Sequence, residues 1–467
     1  MKFTEQQYRG LIEHCLLFEV VAIDLFAGAG GVSFAIENAR TPDGSRFATV
    51  AACVNHDAWA IRSHAMNMPH AIHLNEDIRT VELGLIVQVV EEIRRRKPRI
   101  QVVLWASPSC PGHSVALGGR SRDEDSRSLA EHLIRYILAI RPNKIMVENV
   151  REFEFWGPLV PKITFLRDSD GFKREICPLV VNKKANRLEP WMVPDPEKRG
   201  ENFSRWIREI EEHGYCSSWR VLNCADFGCP TIRKRLFVQF SAGNGVITWP
   251  VPTHSKNGDL GRKRWVAVRN FLDVMDTGES IFKDGRISSE ATFRRLEIGA
   301  RKFCLQEDNL GTTQFLDVQY GNGFAISLDA PATTLTTKDR LSLVTLVFDE
   351  EFITWAGQVQ SGIFFPSPPG CAKHSRSGNV GRTLNYPHMN SDSPAATRLK
   401  KLMAESGIID IRSRHLTDIE FRRITTLPDN YLLLGGITRS KKFIGNAVPA
   451  EMVRVLFESA FTKNRHI

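Results

Sequence analysis

The first half of the chain alternates short apolar runs with amphipathic stretches, and that alternation restricts its fold more than any other feature. The runs cover residues 20–26, 48–54, 102–106, 145–147, 219–222 and 236–240. They are brief and rich in Val and Ile, as are strands buried on both faces of a parallel sheet. Helical patterning lies between them. Leu129, Leu133, Ile134, Ile137 and Leu138 share one helical face, and Pro142 closes that segment. The alternation predicts an α/β open sheet. The pattern breaks after residue 240. Residues 241–410 are rich in turn formers and scattered charge, and predict a second, smaller, irregular unit with short strands such as 341–348. Helical patterning returns over residues 416–424 and 448–461.

With 467 residues, of which 42% are hydrophobic and 25% charged, the chain can bury a sizeable core without covalent staples. Its net charge of +9 favours a polyanionic partner, although many basic proteins bind no nucleic acid. The nine cysteines form no C-x-x-C pair, and Cys224 and Cys229, the closest two, have no second pair at zinc spacing. Reduced thiols in the cytoplasm are expected. Residues 1–19 include Glu5, Arg9 and Glu13 and match neither a signal peptide nor a membrane span. No window reaches the roughly 18 apolar residues that a membrane helix needs.

Four segments carry candidate chemistry. Asp24 to Gly31 (Asp-Leu-Phe-Ala-Gly-Ala-Gly-Gly) follows the first expected strand and opens a helix. Its glycines let a ligand approach the backbone, but a plain tight turn would use them too. Gly31 directly follows Gly30 and Ser33 takes the third glycine's place, which disfavours a dinucleotide. Cys110 lies just past a strand end, in Ser107-Pro108-Ser109-Cys110-Pro111-Gly112, at the rim where open sheets bind ligands. A lone loop cysteine is more often inert. Glu148-Asn149-Val150 closes the next strand. A buried carboxyl there could hold a proton, or it could merely cap a helix. Together, Cys110 and Glu148 suit covalent attack on a heteroaromatic ring. Arg233-Lys234-Arg235 opens a strand on which Arg233 and Arg235 face the same way, as a clamp for phosphate or a base, or as a solvated charge run.

In this order the segments resemble the DNA cytosine-5 methyltransferases, especially phage and bacterial members with a His-Ser after the catalytic loop. Asp24 to Gly31 is similar to the loop for S-adenosylmethionine (SAM), Pro108-Ser109-Cys110 to Pro-x-Cys, and Gly228 to Arg235 to G-x-P-x-x-R-x-R. Glu148-Asn149-Val150 and Gly445-Asn446-Ala447-Val448-Pro449 match family elements unchanged. Arg414-His415-Leu416-Thr417, with Glu420 and Arg423, resembles R-x-L-T-x-x-E-x-x-R. The resemblance spans roughly residues 19–240 and 411–463.

It implies a SAM-dependent methyltransferase with a Rossmann-like open sheet. The catalytic domain would cover residues 1–240, with 440–467 returning to it, and a target-recognition domain residues 241–439. Cys110 would attack C6 of a flipped cytosine, Glu148 would hold the ring at N3 and N4, Arg235 would contact the base and Arg233 a flanking phosphate. Phe26, Gly28, Gly30, Gly31, Asn55, His56, Asp77, Ile78, Pro108, Asn446 and Val448 would bind SAM, Asp77 and Ile78 at its adenine. Duplex DNA is the expected partner, the chain a cytoplasmic monomer without membrane or metal. Three departures stand out: Pro111 replaces a Gln that fills the gap in the duplex, Asn55 the acidic ribose ligand, and Thr426-Leu427-Pro428 a Gly-Phe-Pro. A tRNA methyltransferase and an inactive DNA-binding relative are the alternatives. The long 241–410 region disfavours the first, and intact Cys110, Glu148 and Arg235 the second.

Overall fold

The computed structural model describes residues 4–108, 128–167, 173–182, 186–283, 289–303, 313–319, 323–338, 340–349 and 392–461. Seven strands form the first sheet: β1 (Val20–Leu25), β2 (Ala48–Val54), β3 (Ile72–Leu74), β4 (Gln101–Ala106), β5 (Lys144–Asn149), β6 (Tyr215–Asn223) and β7 (Lys234–Ala242). Their spatial order is β3-β2-β1-β4-β5-β7-β6. The pairs from β3 to β5 are parallel, and β7 is antiparallel to both neighbours.

Alternate side chains of each strand feed two cores, which is why the runs read as continuously apolar. On one face Val21, Ile23, Leu104 and Val147 meet α1 (Glu5–Leu16), α4 (Gly84–Arg96), α5 (Leu133–Ile140) and α6 (Glu201–Glu211). On the other, Val20, Ala22, Val103 and Met146 meet α2 (Gly31–Glu37) and α11 (Ala450–Phe461). Between α2 and β3 lies α3 (Ala58–Asn67), whose first amides bond the Asp57 carboxylate. Met452, Val453, Leu456 and Phe457 of α11 are fully buried, worth on the order of 6–12 kcal/mol. That rivals the whole stability of a typical domain, so the C-terminal helix is integral to the first sheet. Leu427 and Tyr431 join the same core, so the chain is already back at this sheet before residue 440.

The middle region is more regular than the sequence suggests. Strands β8 (Glu279–Ser280), β9 (Gln314–Val318), β10 (Phe324–Ser327), β11 (Leu341–Phe348) and β12 (Ile408–His415) form an antiparallel sheet in the order β8-β12-β11-β9-β10. Helices α7 (Glu290–Phe303) and α8 (Pro394–Glu405) cover one face. The other meets α9 (Asp418–Ile424) and Ile444 of α10 (Ile437–Asn446). Only β11 is an apolar run. Its neighbours carry Gln314, Asp317, Asp410 and Arg412, which hide them from a hydrophobicity reading. Between β5 and α6, the described residues within 159–194 form three short antiparallel ladders. Among the described residues no helix is long and apolar enough to cross a membrane.

Candidate active site

The site lies along the rim formed by the C-terminal ends of β1, β2, β4 and β5. Phe26 follows β1 in the left-handed region at φ 60°, a conformation costing a non-glycine residue about 1–3 kcal/mol and found where function over-determines the backbone. Its ring helps line a cavity of about 200 Å³ together with Asn55, His56, Asp77 and Ile78, so five of the sequence-predicted SAM residues converge. Val54, Glu76, Arg79 and Leu129 complete the wall and were not predicted. Arg79 holds the Asp77 carboxylate through Nη2 at 2.7 Å, and these bonds push the Asp77 pKa down to about 2. Asp77 is thus an ionised acceptor beside Ile78. Asn55 Oδ1 accepts from the Asp57 amide, which orients the side chain at the β2 end.

The glycines of the turn play different parts. A Cβ on Gly28, at φ 53°, would meet nothing within 4 Å, which leaves open space for a ligand along the turn. Gly30, at φ 96°, faces the core: its Cβ would stand 2.7 Å from Met68 Cε and 2.7 Å from Tyr431 Oη. The Tyr431 hydroxyl donates to the Ala29 carbonyl at 2.8 Å and pins the turn from behind. Gly30→Ala is therefore expected to lower thermal stability by about 1–3 kcal/mol through overpacking. An unchanged melting temperature with weakened SAM binding would instead place Gly30 on the ligand side. Gly31 approaches Ala447, with 3.8 Å between its virtual Cβ and the Ala447 Cβ, and Val448 is buried in the first-sheet core. These two, with Gly30, support the turn rather than line the cavity.

At the end of β5, Glu148 is buried, and its Oε1 lies 3.1 Å from Arg235 Nε. Burial raises the Glu148 pKa, opposed by Arg235, Arg233 and a hydrogen bond with Ser107. The desolvated carboxyl therefore holds a proton more tightly than a free glutamate. Trp105 Nε1 donates to Ser107 Oγ at 3.0 Å, and Asn149 Nδ2 to the Pro108 carbonyl at 3.3 Å. These bonds hold Ser107 and Pro108, which precede Cys110 in the sequence. Cys110 itself lies outside the described residues.

Arg233 occupies a different place from the phosphate contact that the resemblance implies. It is 3% exposed, with Nη1 3.3 Å from the Leu335 and 3.3 Å from the Gly445 carbonyl, and Nη2 3.2 Å from that of Asn446. Asn446 thus serves a structural bracket through its backbone. No local signal separates this buried arginine from Lys234, which is exposed.

A sheet in this order, with a glycine turn after β1 and a cavity across the β1 and β2 ends, defines a SAM-dependent methyltransferase. The sequence profile of C-5 cytosine-specific DNA methylases matches residues 20–154 and 195–462, and the chain belongs to that family. It is 24% identical over 459 residues to the type II methyltransferase M.SacI of Streptomyces achromogenes, covering 94% of this chain and 92% of that protein. The type II methylase M.HgiDII of Herpetosiphon aurantiacus is 46% identical over 158 residues, covering 32% of this chain and 42% of that one. Among solved structures, DNMT2 of Spodoptera frugiperda superposes with a TM-score of 0.48 at 15% identity, over 94% of this chain and 99% of that one.

Proposed function

We propose that Cys110, Glu148 and Arg235 carry out cytosine C5 methylation on duplex DNA, in a monomer of the type II kind found in restriction–modification. The observation that carries this reading is the buried Glu148–Arg235 pair at the sheet rim. It stands where a strand end delivers Pro108, two residues before Cys110. Phe26, Asn55, Asp77 and Ile78 fit SAM by their chemistry. An aromatic wall suits its purine, an ionised carboxylate accepts from its adenine amine, and an amide bonds its ribose.

When bound, SAM supplies an electrophilic methyl group. The Cys110 thiolate adds to C6 of the cytosine, and protonated Glu148 donates to N3, which stabilises the electron-rich adduct. Arg235 holds the Glu148 carboxyl in place and lies beside the base. Once C5 is methylated, loss of its proton to a base expels the Cys110 sulfur. C6 attack needs the ring face, so the base leaves the stack at a cost of a few kcal/mol. Lys and Arg contacts to phosphate hold the duplex and make binding salt-dependent. The antiparallel sheet unit within residues 241–439 is assigned to reading base edges.

Duplex DNA carrying 5-fluorocytosine tests the reading, because fluorine at C5 blocks release of the enzyme. The native chain with SAM is expected to form a covalent adduct that survives denaturation, and Cys110→Ala none. An adduct of equal yield in Cys110→Ala removes the assignment. Label transferred to tRNA and not to duplex DNA would favour the RNA-acting alternative.

A further inference from the structure

Behind the glycine turn, a row of polar side chains, buried at Asp24 and Cys53, crosses three parallel strands and takes no part in the chemistry above. Asp24 in β1 is the register partner of Cys53 in β2, and Cys53 that of His73 in β3. Residues at matched register in adjacent strands share a face of the sheet. His64, from α3, covers this row. Its Nδ1 lies 3.0 Å from His73 Nε2, and the Cys53 sulfur and the two histidines offer donor atoms all within 4.8 Å of one another. A tetrahedral ion with roughly 2.0–2.3 Å bonds holds its donors roughly 3.3–3.6 Å apart; the two histidine nitrogens already lie near that spacing, and the widest separation in the group has to close by up to about 1 Å.

The hydrogen bonds around the row point the same way. His64 Nε2 lies 2.9 Å from Ser33 Oγ, and that hydroxyl donates to Asp24 Oδ2 at 2.7 Å. His73 bonds the Ala71 carbonyl. His64 Nδ1 and His73 Nε2, the two inner ring nitrogens, face each other across the row. A cation held by both nitrogens would replace that direct contact. Asp24 Oδ1, fully buried in this row, has no hydrogen-bond partner among the described residues. A carboxylate acting through a hydroxyl on a ligating histidine is the usual outer support of a metal site.

We propose that Cys53, His64 and His73 bind a divalent ion of the zinc class, with Ser33 and Asp24 orienting His64. The ligand set of one thiolate and two imidazoles selects Zn²⁺ or Co²⁺ over Mg²⁺ or Ca²⁺. As the sulfur–metal bond forms, the Cys53 S–H bond breaks and its proton leaves to solvent, with no change of oxidation state. Partly exposed His73 on edge strand β3 provides the entry side. The ion would brace α3 and β3 against the SAM turn, since a Gly30 Cβ would already touch His64 Cδ2 at 3.0 Å.

Titration of the full chain with Co²⁺ alone tests this. The native protein is expected to take up one equivalent, with a near-ultraviolet sulfur-to-cobalt band and a raised melting temperature. Cys53→Ala should lose the band, and Cys110→Ser should keep it. Ser33→Ala should weaken Co²⁺ binding by about 10–100-fold. His73→Gln, on the exposed edge, serves as a second variant and should weaken binding while remaining folded. Absence of the band in the native chain overturns the proposal, as does its persistence in Cys53→Ala or its loss in Cys110→Ser alone.

Discussion

Replacing Glu148 by Gln is expected to lower turnover by about 10²–10⁴-fold, the usual worth of a positioned proton donor, while duplex binding changes little. Phosphate contacts supply most of the affinity for DNA, and Glu148 makes none. The isosteric amide fills the same space at the end of β5 but cannot deliver a proton to N3. The same substitution has a second signature. Burial outweighs the pull of Arg235 and Arg233, so the native carboxyl binds its proton more tightly than the unfolded chain does. Its contribution to stability is therefore complete below the ordinary glutamate pKa of about 4.3 and is lost as pH rises through the raised native value. The Gln variant has no such loss. Its melting temperature relative to the native protein should climb with pH across that interval and then level off. A difference that stays flat or falls would mean that the ionised carboxylate is the favoured form, and the proton-donor role would fail with it.

Legibility followed burial. Strands β1, β2, β4 and β5 were readable because both of their faces are covered, so almost every residue is apolar. Strand β3 was not, since its three residues are Ile72, His73 and Leu74 and only the first is fully buried. The helical face around α5 was read correctly at Leu129, Leu133, Ile134 and Ile137, which lie in or against the first core, but not at Leu138. Leu138 is 52% exposed, whereas Tyr136 and Ile140 are buried. The Tyr136 hydroxyl donates to the Ile78 carbonyl at 2.7 Å, a polar anchor that hydrophobic spacing does not register. The cavity residues Phe26, Asn55, His56, Asp77 and Ile78 were named from motif order, because each sits at a strand end whose position the parallel sheet determines. Arg79 and Glu76 escaped because nothing local distinguishes them from solvated charge. The row Asp24, Cys53, His73 depends on inter-strand register and could not be seen before the sheet order was known.

Arg233→Ala is expected to reduce the free energy of unfolding by about 3 kcal/mol or more, read as a lower urea midpoint. Its guanidinium bonds carbonyls 102, 212 and 213 residues distant in sequence, and truncation leaves those acceptors buried without a partner. The bracket ties the start of β7 to the chain before β11 and to the end of α10. Gly445 belongs to the same junction, since a Cβ there would lie 2.5 Å from the Thr336 carbonyl carbon. Arg233→Lys should rescue only part of the loss, because one ammonium cannot reproduce a planar fork that spans separate carbonyls. DNA binding separates this role from the one that the motif suggests. A phosphate contact contributes about 0.9 to the slope of log K against log salt. If Arg233 is a bracket, the folded Arg233→Lys variant keeps the native salt slope while its unfolding midpoint drops. A native midpoint in Arg233→Ala with a slope reduced by about one would return Arg233 to the DNA backbone.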